Sequence, residues 1–303
     1  SKFDGIVTRI QAFGVRWVRM YWMWPWVEPN QGKRDFSAIK TAVDSAHAHG
    51  MKIVVLATGA PPWANGNQSQ DYPPSSAHYA DYAAYAAAMA TAVAPDAIEI
   101  WNEPNNQGFW ASGPDPVAMA HMQVAAYAAI KSASPSTIVI TGGLTQVPFQ
   151  PQQFFAQMLA ADAQLKDSFD GVALHPYNEP ADPLQPGAFP NILTVQMPAI
   201  QAQLAQVGRG DAPFWMTEYG VATSGQYSVT EAQQASYYTS FFTGLSNARA
   251  QGITIGPSIL YMLEDSSAYG SSTSEQPYFG VYKNDGTAKP AQQTLATFAA
   301  TCN

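Results

Sequence analysis

Short apolar runs alternate with longer segments of helical periodicity along nearly the whole chain. Each run is too short for a typical helix and is followed by turn-forming or polar residues, which is typical of a buried β-strand. The pattern predicts seven strands, at residues 15–20, 51–57, 98–103, 137–141, 170–175, 214–218 and 255–261. Pro104 ends the third strand, because proline has no N–H for a strand ladder.

Apolar residues three and four positions apart predict a helix before the first strand and after each of the seven strands. The predicted helices cover residues 2–13, 36–49, 79–93, 116–132, 152–165, 192–207, 228–250 and 291–300. Asp115 before Pro116 is a good N-cap. Ser228, with Glu231 three residues later, predicts a capping box at the start of the seventh of these helices.

A strand followed by a helix, repeated after an opening helix, predicts an α/β protein with parallel strands joined by helical crossovers. Eight such pairs form a (β/α)8 TIM barrel, and we predict this fold for one barrel domain over residues 1–303. The missing first strand should precede Lys2, and we expect it to be trimmed away or replaced by something irregular. An open doubly wound sheet is the alternative, but its nucleotide-binding forms need a glycine-rich first turn, which this sequence lacks.

Two glutamates occupy matching positions at the ends of apolar strands. Glu103 closes the run at 98–103, and Glu218 closes the run at 214–218. In a barrel the carboxyl ends of all strands meet on one face, so we expect both side chains at one site. Two carboxyl groups can cleave a glycosidic bond, with retention of configuration at a separation of about 5–5.5 Å and inversion at about 6.5–9.5 Å.

Other chemically capable side chains follow the same strand ends. The candidates for substrate binding are Arg19, Trp63, Asn102, Trp110, His175, Tyr177 and Tyr261. Glu99 lies in mid-strand, where a structural ion pair with Arg19 is the favoured interpretation. The sequence contains no zinc-type cluster, phosphate loop or Ser-His-Asp set, which favours carboxylate chemistry. A purely structural role remains the alternative for His175 and for the tryptophans.

Composition narrows the range of partners. The 303 residues are 47% hydrophobic but only 12% charged, and the net charge is −8. This balance argues against nucleic acid, which calls for a basic surface, and is compatible with a neutral sugar. No apolar run is long enough for a transmembrane helix, so we predict no membrane partner. The single cysteine, Cys302, leaves no disulfide or thiolate cluster; we predict no metal, no cofactor, a monomer and an extracellular or periplasmic location.

The segments around both glutamates resemble clan A of the glycoside hydrolases, the retaining TIM-barrel glycosidases. The resemblance rests on residues 101–105 (WNEPN) and 217–220 (TEYG). It extends over nearly the whole chain through residues 28–32 (EPNQG), 173–177 (ALHPY) and 279–286 (FGVYKNDG). The segments 61–64 (PPWA) and 105–110 look most similar to family 39, with family 5 next.

The resemblance implies a retaining mechanism with Glu103 as acid/base and Glu218 as nucleophile. Arg19 is then the cation nearest Glu218, and Tyr177 could donate a hydrogen bond to that carboxylate. Asn102 would contact the sugar hydroxyl next to the reacting carbon.

Two further positions take their roles from the same resemblance. His175 would help to position the polar groups of the site. The clan usually carries a tryptophan at the end of the last strand as a floor beneath the sugar, and Tyr261 stands there in this chain. The identity of the reacting sugar therefore stays open.

These observations predict a retaining glycosidase that acts on an oligo- or polysaccharide, with endo action favoured. Two alternatives share the same residues. One is a carbohydrate-binding barrel that has lost catalysis, because fold alone does not determine function. The other is a transglycosylase, in which a sugar acceptor competes with water.

Overall fold

A computed structural model of the protein describes residues 2–11, 14–187, 189–266 and 276–301. Its centre is a parallel sheet whose seven strands follow one another in sequence order. The strands are β1 (Trp17–Met23), β2 (Lys52–Thr58), β3 (Ala97–Asn102), β4 (Ile138–Thr145), β5 (Val172–His175), β6 (Phe214–Tyr219) and β7 (Ile255–Leu260). All seven predicted strands are confirmed, with ends displaced by a few residues.

The described ranges contain ten α-helices. They are α1 (Lys2–Gln11), α2 (Trp24–Val27), α3 (Ser37–Ala48), α4 (Pro62–Asn65), α5 (Tyr79–Val93), α6 (Pro116–Ala133), α7 (Pro151–Ala161), α8 (Met197–Gln206), α9 (Glu231–Ala250) and α10 (Pro290–Thr301). A π-helical segment, Ile192–Gln196, precedes α8, and short 3-10 turns lie at Ser76–His78, Leu165–Asp167 and Gln276–Tyr278. None of the helices that can be examined is long and apolar enough to cross a membrane.

The strand order confirms the curled α/β architecture and excludes the doubly wound alternative. A doubly wound sheet reverses its strand order at a switch point, whereas β1 to β7 run in sequence without reversal. The two edge strands, β1 and β7, approach each other, so the sheet is a partial barrel. Residues 2–11 form a helix, and the described residues before β1 contain no strand, as predicted. The end of the predicted first helix, at residues 12–13, lies outside the described residues.

Capping chemistry matches the sequence prediction at one helix and departs from it at another. The Asp115 side chain accepts hydrogen bonds from the backbone of Val117 and Ala118, which confirms the N-cap of α6. The predicted capping box at Ser228 is wrong, because Ser228 donates to the carbonyl of Gly225. The N-cap of α9 lies two residues later, at Thr230, and Gln233 completes the box.

Strand residues alternate between the helix-facing side and the barrel interior. In β2, Ile53 and Val55 pack outward in the main core, whereas Val54 belongs to the interior cluster. The interior cluster consists of Val54, Ala97, Ile140, Ala173, Trp215 and Ile259. Trp17 meets Trp215 edge-on, with ring centroids 5.0 Å apart. This apolar packing fills much of the interior, and polar side chains occupy the strand positions nearer the carboxyl ends.

Candidate active site

A cavity of about 630 Å³ opens at the carboxyl ends of the strands. Its lining residues are Arg19, Tyr21, Asn102, Glu103, Asn106, Phe109, Tyr177, Glu179, Thr217, Glu218, Ile259, Leu260, Tyr261 and Phe279. Six of the nine residues predicted for the site are among them. Both predicted glutamates belong to this group, which is what a shared catalytic face requires.

Glu103 reaches the cavity through an irregular end of β3. Trp101 and Glu103 have left-handed φ angles of 70° and 39°, a conformation that is strained for residues other than glycine. The left-handed conformation of Trp101 breaks the alternation of the strand, so that Ile100 and Trp101 both pack on the outer core. Asn105 fixes the turn that follows, because its side-chain amide bonds both backbone groups of Thr145 and the carbonyl of Phe149.

The carboxyl group of Glu103 is almost fully buried and has a neighbour on each oxygen. Nδ1 of His175 lies 2.8 Å from Oε1, and Nδ2 of Asn106 donates to Oε2 at 2.7 Å. Asn106 was not predicted, although its position three residues after Glu103 is a usable signal in a tight turn. These contacts fix the orientation of the carboxyl group before any substrate arrives.

Glu218 reaches the same cavity through irregular pairing of β6. The register with β7 shifts between Phe214 and Met216, and again between Met216 and Tyr219. Such irregularity re-aims side chains, and it lets the consecutive residues Thr217 and Glu218 both face the barrel interior. The hydroxyl of Tyr177 donates to Oε2 of Glu218 at 2.8 Å, as expected from the sequence.

One guanidinium group joins the barrel interior to the site. Arg19 donates from Nε to Glu99 at 2.6 Å and from Nη1 to Glu218 at 2.5 Å. Its Nη2 donates to Oδ1 of Asn102 at 2.9 Å. The predicted ion pair between Glu99 and Arg19 is therefore confirmed, and the same arginine also supports Glu218.

The ionisation of these groups follows from their burial and their charges. Burial alone lowers the pKa of Arg19, but the charges of Glu99 and Glu218 outweigh it and raise that pKa. For Glu99, burial raises the pKa, and Arg19 then brings it below its ordinary value. Burial and the charge of Glu218 raise the pKa of Tyr177 well above its usual range, so the phenol remains a hydrogen-bond donor.

His175 lies behind the cavity wall, fully buried between the carboxylates. Its Nε2 is 3.0 Å from the hydroxyl of Thr217, which donates to Glu99 at 3.1 Å. Burial lowers the pKa of His175, but the charge of Glu218 and the contacts with Glu103 and Glu99 raise it to about 9. An imidazolium can donate from both nitrogens, to Glu103 and to Thr217. His175 therefore positions the polar groups rather than lining the cavity.

The approach of His175 to β4 requires a glycine. A Cβ atom on Gly143 would overlap the imidazole ring, and one on Gly142 would overlap the carbonyl oxygen of Ile100. The backbone N–H of Gly143 also donates to Oε1 of Glu99 at 3.0 Å. Sequence reasoning missed this role, although two adjacent glycines inside an apolar strand signal a close backbone approach.

The two candidate catalytic carboxyl groups lie close together. One carboxylate oxygen of Glu103, one of Glu218 and a ring nitrogen of His175 all lie within 4.8 Å of one another. The same spacing raises the question of a metal ion. Arg19 already occupies one oxygen of Glu218, and His175, with a pKa of about 9, has no free lone pair at neutral pH. The residues present therefore do not match a resident divalent cation.

Aromatic rings form another wall of the cavity. The ring of Phe279 lies 5.5 Å from that of Tyr261 and 5.9 Å from that of Tyr177, measured between centroids. Tyr261 thus occupies the predicted place at the end of β7. Phe279 was not predicted as a site residue, nor were Phe109 and Glu179, which line the cavity as well.

The predicted substrate-binding residues Trp63 and Trp110 do not line this cavity. Trp110 is fully buried and packs edge-on against Trp101, with centroids 5.4 Å apart. The indole N–H of Trp63 donates to the carbonyl of Glu28, and its ring packs on Trp24. Loop tryptophans at strand ends looked suitable for sugar binding, but both fold inward and extend the core.

Comparison with known proteins identifies the family of the chain. The family model described as cellulase, glycosyl hydrolase family 5, matches residues 4–254. No curated protein matches the chain significantly. The clan predicted from the sequence is thus confirmed.

Solved structures share the fold at low sequence identity. A family 39 glycoside hydrolase from Bacteroides cellulosilyticus has a TM-score of 0.79 and 21% identity over 98% of this chain and 60% of its own. A monomeric β-xylosidase from Caulobacter crescentus has a TM-score of 0.72 and 18% identity over 98% of this chain and 64% of its own. An exo-β-1,4-mannosidase from an Opitutaceae bacterium has a TM-score of 0.71 and 16% identity over 99% of this chain and 55% of its own. The chain spans less than two thirds of the length of each of these proteins.

Proposed function

The chain belongs to glycosyl hydrolase family 5, and from this premise we propose that it is a retaining glycosidase with Glu218 as nucleophile and Glu103 as acid/base. Membership of the family supports glycosidase activity. The retaining mechanism and the roles of the two glutamates are proposed here.

The observation that carries the proposal is the short separation of the two carboxyl groups. One oxygen of Glu103 lies within 4.8 Å of one oxygen of Glu218. Retaining enzymes need about 5–5.5 Å, so that one carboxylate can attack the anomeric carbon directly. Inverting enzymes need about 6.5–9.5 Å to admit a water molecule between carboxylate and sugar. The spacing supports double displacement.

In the first step Glu218 attacks the anomeric carbon, and Glu103 gives its proton to the departing glycosidic oxygen. A glycosyl–Glu218 ester forms as the glycosidic bond breaks. Arg19 and Tyr177 hold the two oxygens of Glu218 and thereby fix the direction of attack. In the second step Glu103 takes a proton from water, and this water releases the sugar with the original configuration.

Asn102 is suited to bind the hydroxyl next to the reacting carbon. Its Oδ1 is engaged by Arg19 at 2.9 Å, which leaves the amide nitrogen to donate to a sugar oxygen. Such a contact strengthens as the transition state forms. Tyr261 and Phe279 would give the reacting ring an apolar wall.

Glutamine substitutions test the assignment. Glu218→Gln should lower kcat by more than about 10³-fold, because an amide cannot form the ester intermediate. Glu103→Gln should lower kcat by about 10²–10⁴-fold on a substrate with a poor leaving group. The loss should be much smaller with a dinitrophenyl leaving group, because this group departs without a proton. Glu231→Gln, at an exposed carboxylate on α9, serves as control. Unchanged turnover in folded Glu218→Gln protein would reject the proposal.

The same assays separate the alternatives. A barrel that only binds carbohydrate would not hydrolyse activated aryl glycosides. A transglycosylase would give products longer than the substrate when an acceptor sugar is added. Endo action, export and a monomeric state stay predictions, which product analysis, fractionation and sedimentation would test.

A further inference from the structure

We propose that Tyr21 and Trp26 form a second sugar-binding subsite at the rim of the catalytic cavity, for one further neutral ring of an oligosaccharide. The proposal rests on the proposed function and deepens it, because it identifies the substrate as a chain of at least two sugar units.

Trp26 differs from the other tryptophans in its exposure. All eight tryptophans lie in the described ranges, and Trp26, with 55% of its surface exposed, is the only exposed one. Tyr21 is 38% exposed. A single exposed apolar side chain is common on protein surfaces, but Trp26 and Tyr21 are exposed next to each other and so form an aromatic patch.

The two rings are continuous with the catalytic cavity. Tyr21 lies in β1 and lines the cavity wall. Its ring centroid is 6.4 Å from that of Trp26, in helix α2, which follows β1 directly. A sugar chain that leaves the cavity along this side would therefore pass from the ring of Tyr21 to that of Trp26.

The indole ring is held in place by neighbouring contacts. Trp22 packs edge-on against it, with centroids 5.8 Å apart. The start of the same helix is anchored by the buried Trp24, whose indole N–H donates to Glu28 at 2.9 Å. Glu28 also accepts hydrogen bonds from Arg34 and from the backbone of Gly32. A rigid ring loses little conformational entropy on binding, which favours recognition of a flat apolar face.

The charge of the Asp71 carboxylate acts on Tyr21. Burial, followed by this charge, raises the pKa of Tyr21 to about 12. The backbone carbonyl of Asp71 accepts from Ala111 and anchors this loop. A sugar ring offers C–H groups for aromatic packing and hydroxyls for a carboxylate acceptor. The aromatic pair supplies the first kind of contact, and Asp71 is the candidate for the second.

Substrate length combined with substitution tests the subsite. Trp26→Ala and Trp26→Phe should be compared on monosaccharyl fluorides, whose one-atom leaving group uses the cavity alone, and on gluco-, xylo- and manno-oligosaccharides of increasing length. We expect Trp26→Ala to lower kcat/KM on oligosaccharides by about tenfold and to leave the fluorides unchanged. Trp26→Phe should restore part of the loss. Val117→Ala, which truncates another exposed apolar side chain, is the control.

Calorimetric binding of the same oligosaccharides makes the outcome independent of turnover. Binding to the unmodified protein that Trp26→Ala weakens about tenfold supports the subsite, even if hydrolysis is absent and the proposed function alone fails. Equal losses on fluorides and oligosaccharides, no loss on either, or no binding of any oligosaccharide to the unmodified protein would each overturn the subsite.

Discussion

At the scale of single residues, Arg19 connects the stability of the barrel with the chemistry of its site. Its planar fork serves three acceptors on two strands, a geometry that a lysine ammonium cannot reproduce. Mid-strand Glu99 indicated such a partner from sequence alone, because a buried carboxylate needs a cation. The further contact with Asn102 required the folded structure, since it depends on the irregular end of β3.

His175 makes the stability of the protein depend on pH. Its folded pKa of about 9 lies above the ordinary value of about 6.5, so the folded state binds the proton more tightly than the unfolded state. This stabilisation is complete below about pH 6.5 and is lost as the pH rises through about 9. We predict that the unfolding free energy falls by about 3 kcal/mol over this interval.

Urea denaturation of unmodified and His175→Gln proteins at a series of pH values measures this effect. The difference between the two curves isolates the histidine from other groups that titrate in the same range. Parallel curves would contradict the assignment of the proton to His175.

Gly143 permits no side chain, and this gives a second prediction. Gly143→Ala should destabilise the protein by about 3 kcal/mol and lower kcat, because the added Cβ displaces a buried imidazole. Gly5→Ala is the matched control: Gly5 lies in α1 with open space around it, so alanine should be neutral or stabilising by up to about 1 kcal/mol. Thermal unfolding of both variants measures the difference, and equal effects would count against a close approach at Gly143.

At the scale of secondary structure, periodicity located the strands and helices but not their irregular ends. Seven apolar runs were enough to predict seven strands, because buried parallel strands are apolar on both faces. The left-handed Trp101 and the register shifts of β6 left no signal, since neither segment has glycine at the irregular position. These irregularities orient Glu103 and Glu218, so the sequence predicts the candidate residues but not the directions of their side chains.

The start of α9 shows why local patterns are ambiguous. Ser228 with Glu231 and Thr230 with Gln233 both match a capping box, and the fold uses the second. We predict that Thr230→Ala destabilises the protein by about 1 kcal/mol, whereas Ser228→Ala has a smaller effect. Chemical denaturation of the two variants provides the comparison. A larger effect at Ser228 would contradict the assigned cap.

At the scale of the whole molecule, charge should restrict the substrates. The net charge is −8, and the cavity is lined by Glu103, Glu179 and Glu218. Arg19 is the only lysine or arginine among the described lining residues, and it is already paired with Glu99 and Glu218. A ring that carries a carboxylate would find no unpaired cation there and would be repelled.

We therefore predict that uronides are hydrolysed at least about 100-fold less efficiently than the matched neutral glycosides. Measurement of kcat/KM for aryl glucosides and glucuronides, and for other pairs of the same configuration, provides the comparison. Similar values within any pair would show that the cavity does not select by charge.

The overall architecture was the part most accessible from sequence, because alternating strands and helices leave few possible topologies. The two glutamates were accessible as well, since each ends an apolar strand on the same face. The positions of the Trp63 and Trp110 side chains could not be predicted, because the path of a long loop depends on packing that a local pattern does not encode.

The most direct test of the central claim is to trap the intermediate. Incubation with 2-deoxy-2-fluoro glycosides of gluco, xylo and manno configuration should leave a sugar bound covalently to the protein, since the fluorine slows its release. Mass spectrometry of the digested protein should place that sugar on Glu218. A protein that turns over the parent glycoside, but carries the label on another residue or carries none, would contradict the account.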